Sequence, residues 1–503
     1  MKQPSLRLNI LASYASQIYL IIISIAILPI YIKYMGAEAY GLVGFFAMLQ
    51  GLFSLLDFGL TPTISRQTAQ YNAGAETALN FRRLFRALSS IFLVIAIIGG
   101  SLLFTLNDLI AERWLKIENL SITEVLFSLQ VMAICIALRW MTGLYRGVIS
   151  GFEKIVWLSI ANSMIATLRF PGVLLYMYYF GFSVRSFFTY QLSVAVMEYL
   201  CLATKSFKLL PRVDPKDTIG WSLEPVKPLL GFALTIAFTS SVWVLLTQLD
   251  KLVLSGILPL SDYGYFTLAV LVAGGILQLS TPISAPIMPR LARLQGEQQF
   301  EQMRQVYLNA TQFVSVIVVT AGIVLAGLAK PVLYAWTGDI NLAVKAAPVL
   351  MLYSLGNTLL ALGAFPYYLQ YAKGDLKYHF IGNILFIVVL VPTIIWAATS
   401  YGAVGAGWVW FLTQVAFLLF WVSYVHKKIE PNINIQWFKS FVPSLISVSI
   451  FIALVGRWVE MSDARYITGI KVTLISMCSI LVSVLSSSRV LSMLKHKFLK
   501  RII

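Results

Sequence analysis

The run ALSSIFLVIAIIGGSLLFTL at 87–106 carries no charged side chain over 20 consecutive positions. At a rise of about 1.5 Å per residue, a helix of that length reaches across the roughly 30 Å of hydrocarbon in a bilayer. A barrel strand would be about ten residues of alternating polarity; this run does not alternate. A helix also satisfies its own backbone hydrogen bonds where no water can. Arg82, Arg83 and Arg86 stand directly before it, as cations do at a membrane edge. Working outward, comparable stretches lie at 10–32, 40–62, 122–147, 155–180, 184–204, 229–257, 264–289, 308–329, 346–370, 379–400, 404–425, 440–457 and 467–486, which makes fourteen with 87–107. With 59% hydrophobic residues the chain is more apolar than soluble proteins, whose share is about 45–50%. The fold class expected is an all-α integral membrane protein.

The chain also resembles itself. Tyr40-Gly41 recurs as Tyr263-Gly264 after 223 residues, Trp114 as Trp336 after 222, Gly151 with Lys154 as Gly374 with Lys377 after 223, and Gly181 as Gly402 after 221. Pro62 and Arg66 find Pro286 and Arg290 at 224. A near-constant offset reads as a duplication. It predicts two pseudo-symmetric six-helix bundles, 1–204 and 229–425, joined by a linker at 205–228 that holds Pro211, Pro215, Pro225 and Pro228. Two further transmembrane helices at 426–488 and a tail at 489–503 complete the chain. A unit of six crossings enters and leaves on one side, so the halves should be related by an axis along the membrane normal. Secondary transporters commonly have that arrangement and bind their cargo between the halves.

Lys and Arg concentrate in the N-terminus, the even-to-odd connections and the tail, for example Arg66, Arg82, Arg83 and Arg86 after the second stretch and Lys205, Lys208, Arg212, Lys216 and Lys227 in the linker. Cations favour the cytoplasmic side, so both termini are expected there. The net charge of +17 follows from this bias and from anionic lipid, without a nucleic-acid partner. The first stretch follows Lys2 and Arg7 but is too long for a signal peptide and lacks a small-residue cleavage site, so it is expected to stay as an anchor. Cys135, Cys201 and Cys478 all fall inside stretches, which argues against a structural disulfide. There is no Walker A or dinucleotide motif and no metal-ligand cluster; His379, His426 and His496 are isolated and near membrane edges. No cofactor, metal or catalytic role is expected. In the tail, Val490, Leu491, Leu494 and Phe498 share a helical face among Arg489, Lys495, Lys497, Lys500 and Arg501. That suits an anchoring helix at the interface, or a regulatory one.

Charges within spans are costly unless they meet a partner or a cavity. Arg169 lies mid-span, followed by Pro171-Gly172, where a helix can kink, and Asn162 lies seven residues earlier on the same face. It is read either as a cargo contact or as the partner of a carboxylate on a neighbouring helix. Ser241, Gln248, Lys251 and Ser255 form a polar stripe at helical spacing. Asp250 points about 100° away from that stripe and is a coupling-ion candidate or the partner of a basic residue. Arg139 and Arg146 share a face; Glu198 could pair with an arginine or take up a proton, and Asp57 is placed to fix the turn toward Arg66. Arg139, Arg169 and Lys251 together suggest an anionic cargo, because guanidinium groups match phosphate oxygens. Tyr176, Tyr178, Tyr179, Trp408 and Trp410 could stack on sugars or form an aromatic belt.

The segment YMGAEAYGLVGFFAMLQGLFSLLDFGLTPTISRQTAQY at 34–71 and the run QLDKLVLSGILPLSDYGYFTLA at 248–269 carry DFGL at 57–60, LDK at 249–251 and SDYGY at 261–265. In order and spacing, and with the helix count, they resemble the polysaccharide exporters and Wzx-type flippases of the multidrug/oligosaccharidyl-lipid/polysaccharide superfamily over essentially the whole chain. The resemblance implies two six-helix lobes around a cationic cavity and alternating access. It implies transfer of undecaprenyl-pyrophosphate-linked oligosaccharide repeat units from the cytoplasmic to the outer face of the bacterial inner membrane, for O-antigen, capsule or exopolysaccharide synthesis. Membrane lipids, a polysaccharide polymerase and a chain-length regulator would be its partners. Other exporters of the superfamily, for teichuronic acid, lipid II or cation-coupled drug export, are the alternative. Drug exporters often carry an acidic residue in helix 1, which 10–32 lacks, and normally have twelve helices. A membrane glycan polymerase or ligase would have a large outward loop, whereas the loops at 107–121 and 330–345 are short.

Overall fold

The computed structural model describes residues 6–214, 216–284, 287–459 and 464–492. Thirteen helices among them are long and apolar enough to cross a membrane: α1 (Leu11–Met35), α2 (Ala37–Asp57), α3 (Ala78–Thr105), α4 (Ile122–Gly151), α5 (Ile155–Phe180), α6 (Val184–Leu209), α7 (Ile236–Ile257), α8 (Leu260–Ser280), α9 (Phe300–Gly327), α10 (Ile340–Lys373), α11 (Lys377–Ile429), α12 (Ile433–Trp458) and α13 (Arg465–Ser486). The expected fourteen crossings and these thirteen helices differ at one place. α11 runs for 53 residues and holds the stretches 379–400 and 404–425. Between them Gly402 takes φ 60° and ψ −146°, outside helical geometry. A residue without Cβ adopts that conformation readily, so the helix breaks where two crossings are expected to meet. No β-strand occurs among the described residues; one isolated bridge joins Lys116 and Pro259.

The chain forms two compact units, Met1–Gly264 and Tyr265–Ile503. In the first, a short helix at Leu60–Asn72 follows α2 after a left-handed turn at Phe58 and Gly59, with φ of 45° and 70°. Asp57 closes that turn as expected: its carboxylate accepts from the Thr61 amide at 3.2 Å and from Thr61 Oγ1 at 2.5 Å. The short helix lies against glycines spaced four apart on α4. A Cβ on Gly143 would stand 2.9 Å from Thr61 Oγ1, and one on Gly147 would stand 2.9 Å from the Thr61 carbonyl. Small residues at that spacing let helix backbones approach closely inside a membrane. Behind them Ile64, Phe81, Phe92, Leu144 and Val148 form a buried core.

α7, which the sequence groups with the second half, packs on α2 in this unit: a Cβ on Gly51 would stand 2.8 Å from Gln248 Cδ. The linker lies against α3, where Arg83 Nη2 donates to the Thr218 carbonyl at 3.0 Å and Trp221 Nε1 donates to Ser90 Oγ at 3.2 Å.

In the second unit α9, α10, α11 and α12 surround Tyr307, Val318, Phe365, Trp437 and Phe441. α12 and the residues at the end of α13 meet through serines, Ser444 Oγ with Ser487 Oγ at 2.8 Å and Ser447 Oγ with Ser486 Oγ at 3.0 Å. His426 lies in the last turn of α11. It is fully buried, with Nε2 2.8 Å from the Tyr307 hydroxyl and Nδ1 2.9 Å from Asn434 Oδ1. It thereby ties α9, α11 and α12 together. The tail is described as far as Ser492: Arg489 donates its amide to Gln312 Oε1 at 2.9 Å and Nη1 to Asn309 Oδ1 at 3.0 Å. The rest of the expected amphipathic tail lies outside the described residues, as does Pro286.

Candidate functional site

α4, α5 and α6 bring two arginines, Arg146 and Arg169, onto one carboxylate and a third, Arg139, beside them. Arg139 and Arg146 are seven residues apart on α4, two helical turns, and so are Gln191 and Glu198 on α6. Two matched faces therefore oppose each other over the same length. Arg139 Nη2 donates to Gln191 Oε1 at 2.7 Å, and Arg146 Nη2 to Glu198 Oε1 at 2.7 Å. Arg169 reaches the same carboxylate from α5, with Nη2 2.5 Å from Glu198 Oε2.

The backbone of α5 widens at this point. Leu168–Gly172 is a π-helical turn containing Pro171, which has no N–H to give to the helix ladder. Turns of this kind are frequent at functional sites. Gln191 Nε2 donates to the Arg169 carbonyl at 3.0 Å, so Gln191 bridges Arg139 and the widened turn. Asn162 Oδ1 accepts from Arg146 Nη1 at 2.5 Å, not from Arg169, whose face it was expected to share. From α2, Gln50 Oε1 accepts from Arg139 Nη1 at 3.1 Å, and the Arg139 guanidinium lies 5.0 Å from the Phe46 ring centroid.

Three guanidinium groups against one carboxylate leave a formal excess of two positive charges within the spans. The carboxylate is sealed and the cations are not: the Glu198 side chain is 4% exposed, against 25% for Arg169 and 30% for Arg146. The buried Nε atoms of Arg139 and Arg169 have no hydrogen-bond partner among the described residues. The cluster therefore retains positive charge on partly exposed side chains, and guanidinium groups suit the tetrahedral oxygens of phosphate.

The α7 candidates sit apart from these bonds. Lys251 Nζ donates to the Thr247 carbonyl of its own helix and lies 3.6 Å from Asp250 Oδ1, so lysine and aspartate face each other despite being sequence neighbours. Asp250 is buried. Gln248 packs on Gly51, one residue from Gln50 of the cluster, which sets the polar stripe beside it along α2. Ser255 accepts from Trp114 Nε1 at 2.9 Å.

Sequence reasoning passed over Gln50 and Gln191, and noted Arg146 only as a companion of Arg139. It also passed over Glu38, a buried carboxylate in the first turn of α2 that accepts from the amides of Glu118, Asn119 and Leu120 at 2.7, 2.9 and 3.2 Å. The signal for Gln191 was its seven-residue spacing from Glu198. Gln50 carried none.

Residues 6–295 match the family described as polysaccharide biosynthesis protein. A Shigella flexneri protein named for O-antigen transport is 21% identical over 398 residues, 77% of this chain and 90% of its own. Among solved structures, the lipid II flippase MurJ in an inward closed conformation superposes with a TM-score of 0.71 at 14% identity, over 95% of this chain and 97% of that one. An inward-facing multidrug resistance MATE family transporter of the MOP superfamily gives 0.63 at 18% identity, over 82% and 96%. At such identities the two structures show the fold alone.

Proposed function

The chain belongs to the polysaccharide biosynthesis protein family, and on that premise we propose that this multi-pass membrane protein is a flippase for polyprenyl-pyrophosphate-linked oligosaccharide repeat units. The observation that carries the reading is the grouping of Arg139, Arg146 and Arg169 with Glu198 as the single carboxylate, bonded by Arg146 and Arg169, while Arg139 stands on Gln50 and Gln191. A pyrophosphate is the part of such a cargo that a bilayer resists most. The excess guanidinium charge would offset the loss of its water. Arg169 and Arg139 would take the phosphate oxygens, with Gln50 and Gln191 holding the Arg139 guanidinium and Asn162 holding Arg146 beside them. Lys251 and Gln248 would extend the polar path along α7. Glu198, held by two arginines, serves as a fixed counter-ion in this reading and not as a proton carrier. Asp250 has the corresponding place beside Lys251.

Transfer would run from the cytoplasmic to the outer leaflet of a bacterial inner membrane by alternating access, with both termini in the cytoplasm. The Shigella relative's name supports a cargo bound for O-antigen. A deletion strain tests the proposal: lipid-linked repeat units should accumulate while surface polymer disappears, with both reversed by the restored gene. Normal surface polymer in the deletion strain would overturn it.

A further inference from the structure

α6 has two unlike faces. Gln191 and Glu198 are buried at the arginine cluster, and Leu202 is buried in the apolar core. Ser193, Met197, Leu200, Thr204 and Lys208 follow one another at steps of three and four residues, which keeps them on another side of the helix. Along that side runs a groove of about 680 Å³ shared with Trp157 of α5. Its middle is apolar, with Met197, Leu200 and Cys201, and its end holds Lys205 and Lys208. No carboxylate is among the residues that line it. The Lys205 ammonium lies 5.1 Å from the Trp157 ring centroid, which fixes it over the mouth of the groove.

From Met197 to Lys208 the groove rises about 16 Å along the helix axis. We infer that it is a binding site for an anionic phospholipid, with the phosphate between Lys205 and Lys208 and an acyl chain along Met197, Leu200 and Cys201. A fatty chain needs a continuous apolar wall and a phosphodiester needs cations at its end; the groove supplies both in that order. Tryptophan at the boundary matches the interfacial level of a headgroup. Basic pockets between transmembrane helices hold anionic headgroups by the same physics. A resident phospholipid fits better than the cargo, because Met197, Leu200 and Thr204 lie about 100–160° around α6 from Glu198, and of the two lysines only Lys205 returns near the side of Glu198. The inference does not depend on the proposed transport.

Cys201 reports occupancy directly, because it lines the groove and is exposed. Cys478, exposed on α13, provides the reference for the general effect of a charged surface. The protein is reconstituted in phosphatidylcholine vesicles with or without phosphatidylglycerol and treated with an uncharged maleimide. The alkylation rate at each cysteine is read by peptide mass spectrometry. Phosphatidylglycerol should slow Cys201 at least about fivefold more than Cys478, the effect expected of a lysine near anionic lipid. In the Lys205→Gln/Lys208→Gln variant that difference should vanish. Equal slowing at both cysteines, or protection that survives loss of both lysines, would overturn the inference. Protection by undecaprenyl pyrophosphate in phosphatidylcholine with none from phosphatidylglycerol would overturn it as well and give the groove to the cargo.

Discussion

Removing the Glu198 carboxylate would leave the Arg146 and Arg169 guanidinium groups with no counter-ion between them. Breaking a buried ion pair from one side costs about 3–5 kcal/mol, so Glu198→Gln should lower the thermal midpoint of the purified protein markedly. Adding Arg146→Gln removes one of the stranded cations and should recover part of the loss. A Glu198→Gln protein as stable as the parent would show that the arginines are compensated elsewhere. At this scale the sequence disclosed the charged residues well, because Arg139, Arg169 and Glu198 interrupt otherwise apolar runs. It did not disclose their pairing. Helical periodicity fixes which residues share a face of one helix, and says nothing about which face of another helix is opposite. Asn162 illustrates a second limit. Sharing a face with Arg169 did not make Asn162 its partner: Asn162 meets Arg146 of α4, which shares the Glu198 carboxylate with Arg169.

Close helix contacts in both units rest on glycine. Gly41 lies against the Leu260 carbonyl, and Gly264 against the Ala37 carbonyl, where a Cβ would stand 2.5 Å from the oxygen. Adding 223 to Ala37 and Gly41 gives Leu260 and Gly264, so each contact becomes the other on exchange, as in a self-complementary interface. A Cβ at Gly41 must push the two backbones apart, at a cost of about 1–3 kcal/mol. Gly363 of α10 has nothing within 4 Å of its would-be Cβ, and there alanine gains about 0.5–1 kcal/mol in helix propensity. Gly41→Ala should therefore lower the thermal midpoint and Gly363→Ala should hold or raise it; equal responses would contradict the geometry. The fourteen apolar stretches were legible as helices because a span must be long and uncharged. The glycines at 143, 147 and 151 were present in the sequence as a spaced set, but what they receive, the Leu60–Asn72 helix, is a tertiary fact.

Across the whole chain, the element order of the second half follows that of the first. α3 and α9 begin 222 residues apart and end 222 residues apart, and Gly181 and Gly402 both adopt positive φ, 92° and 60°. A shared letter is not always a shared role: Gly374 ends α10 at φ 73°, whereas at the matching turn Glu153 takes the left-handed conformation and Gly151 packs on Ser65. The matched helix ends were legible because they constrain sequence locally. The lateral packing of α7 on α2 was not, because it depends on side chains distant in sequence. Six crossings per repeat predict that reporters after Gly74 and Lys216 lie in the cytoplasm and that reporters at Glu118 and Asp339 lie outside. Labelling that put Lys216 and Asp339 on one side would break the repeat. The central claim, that the arginine cluster takes the anionic head of a lipid-linked glycan, is tested most directly by translocation of such a glycan in reconstituted vesicles by Arg169→Ala and Arg169→Lys proteins. The account predicts loss of transport in Arg169→Ala at normal protein abundance, and partial transport in Arg169→Lys, which keeps the charge but not the two-pronged geometry. Transport by Arg169→Ala at the parental rate would contradict it.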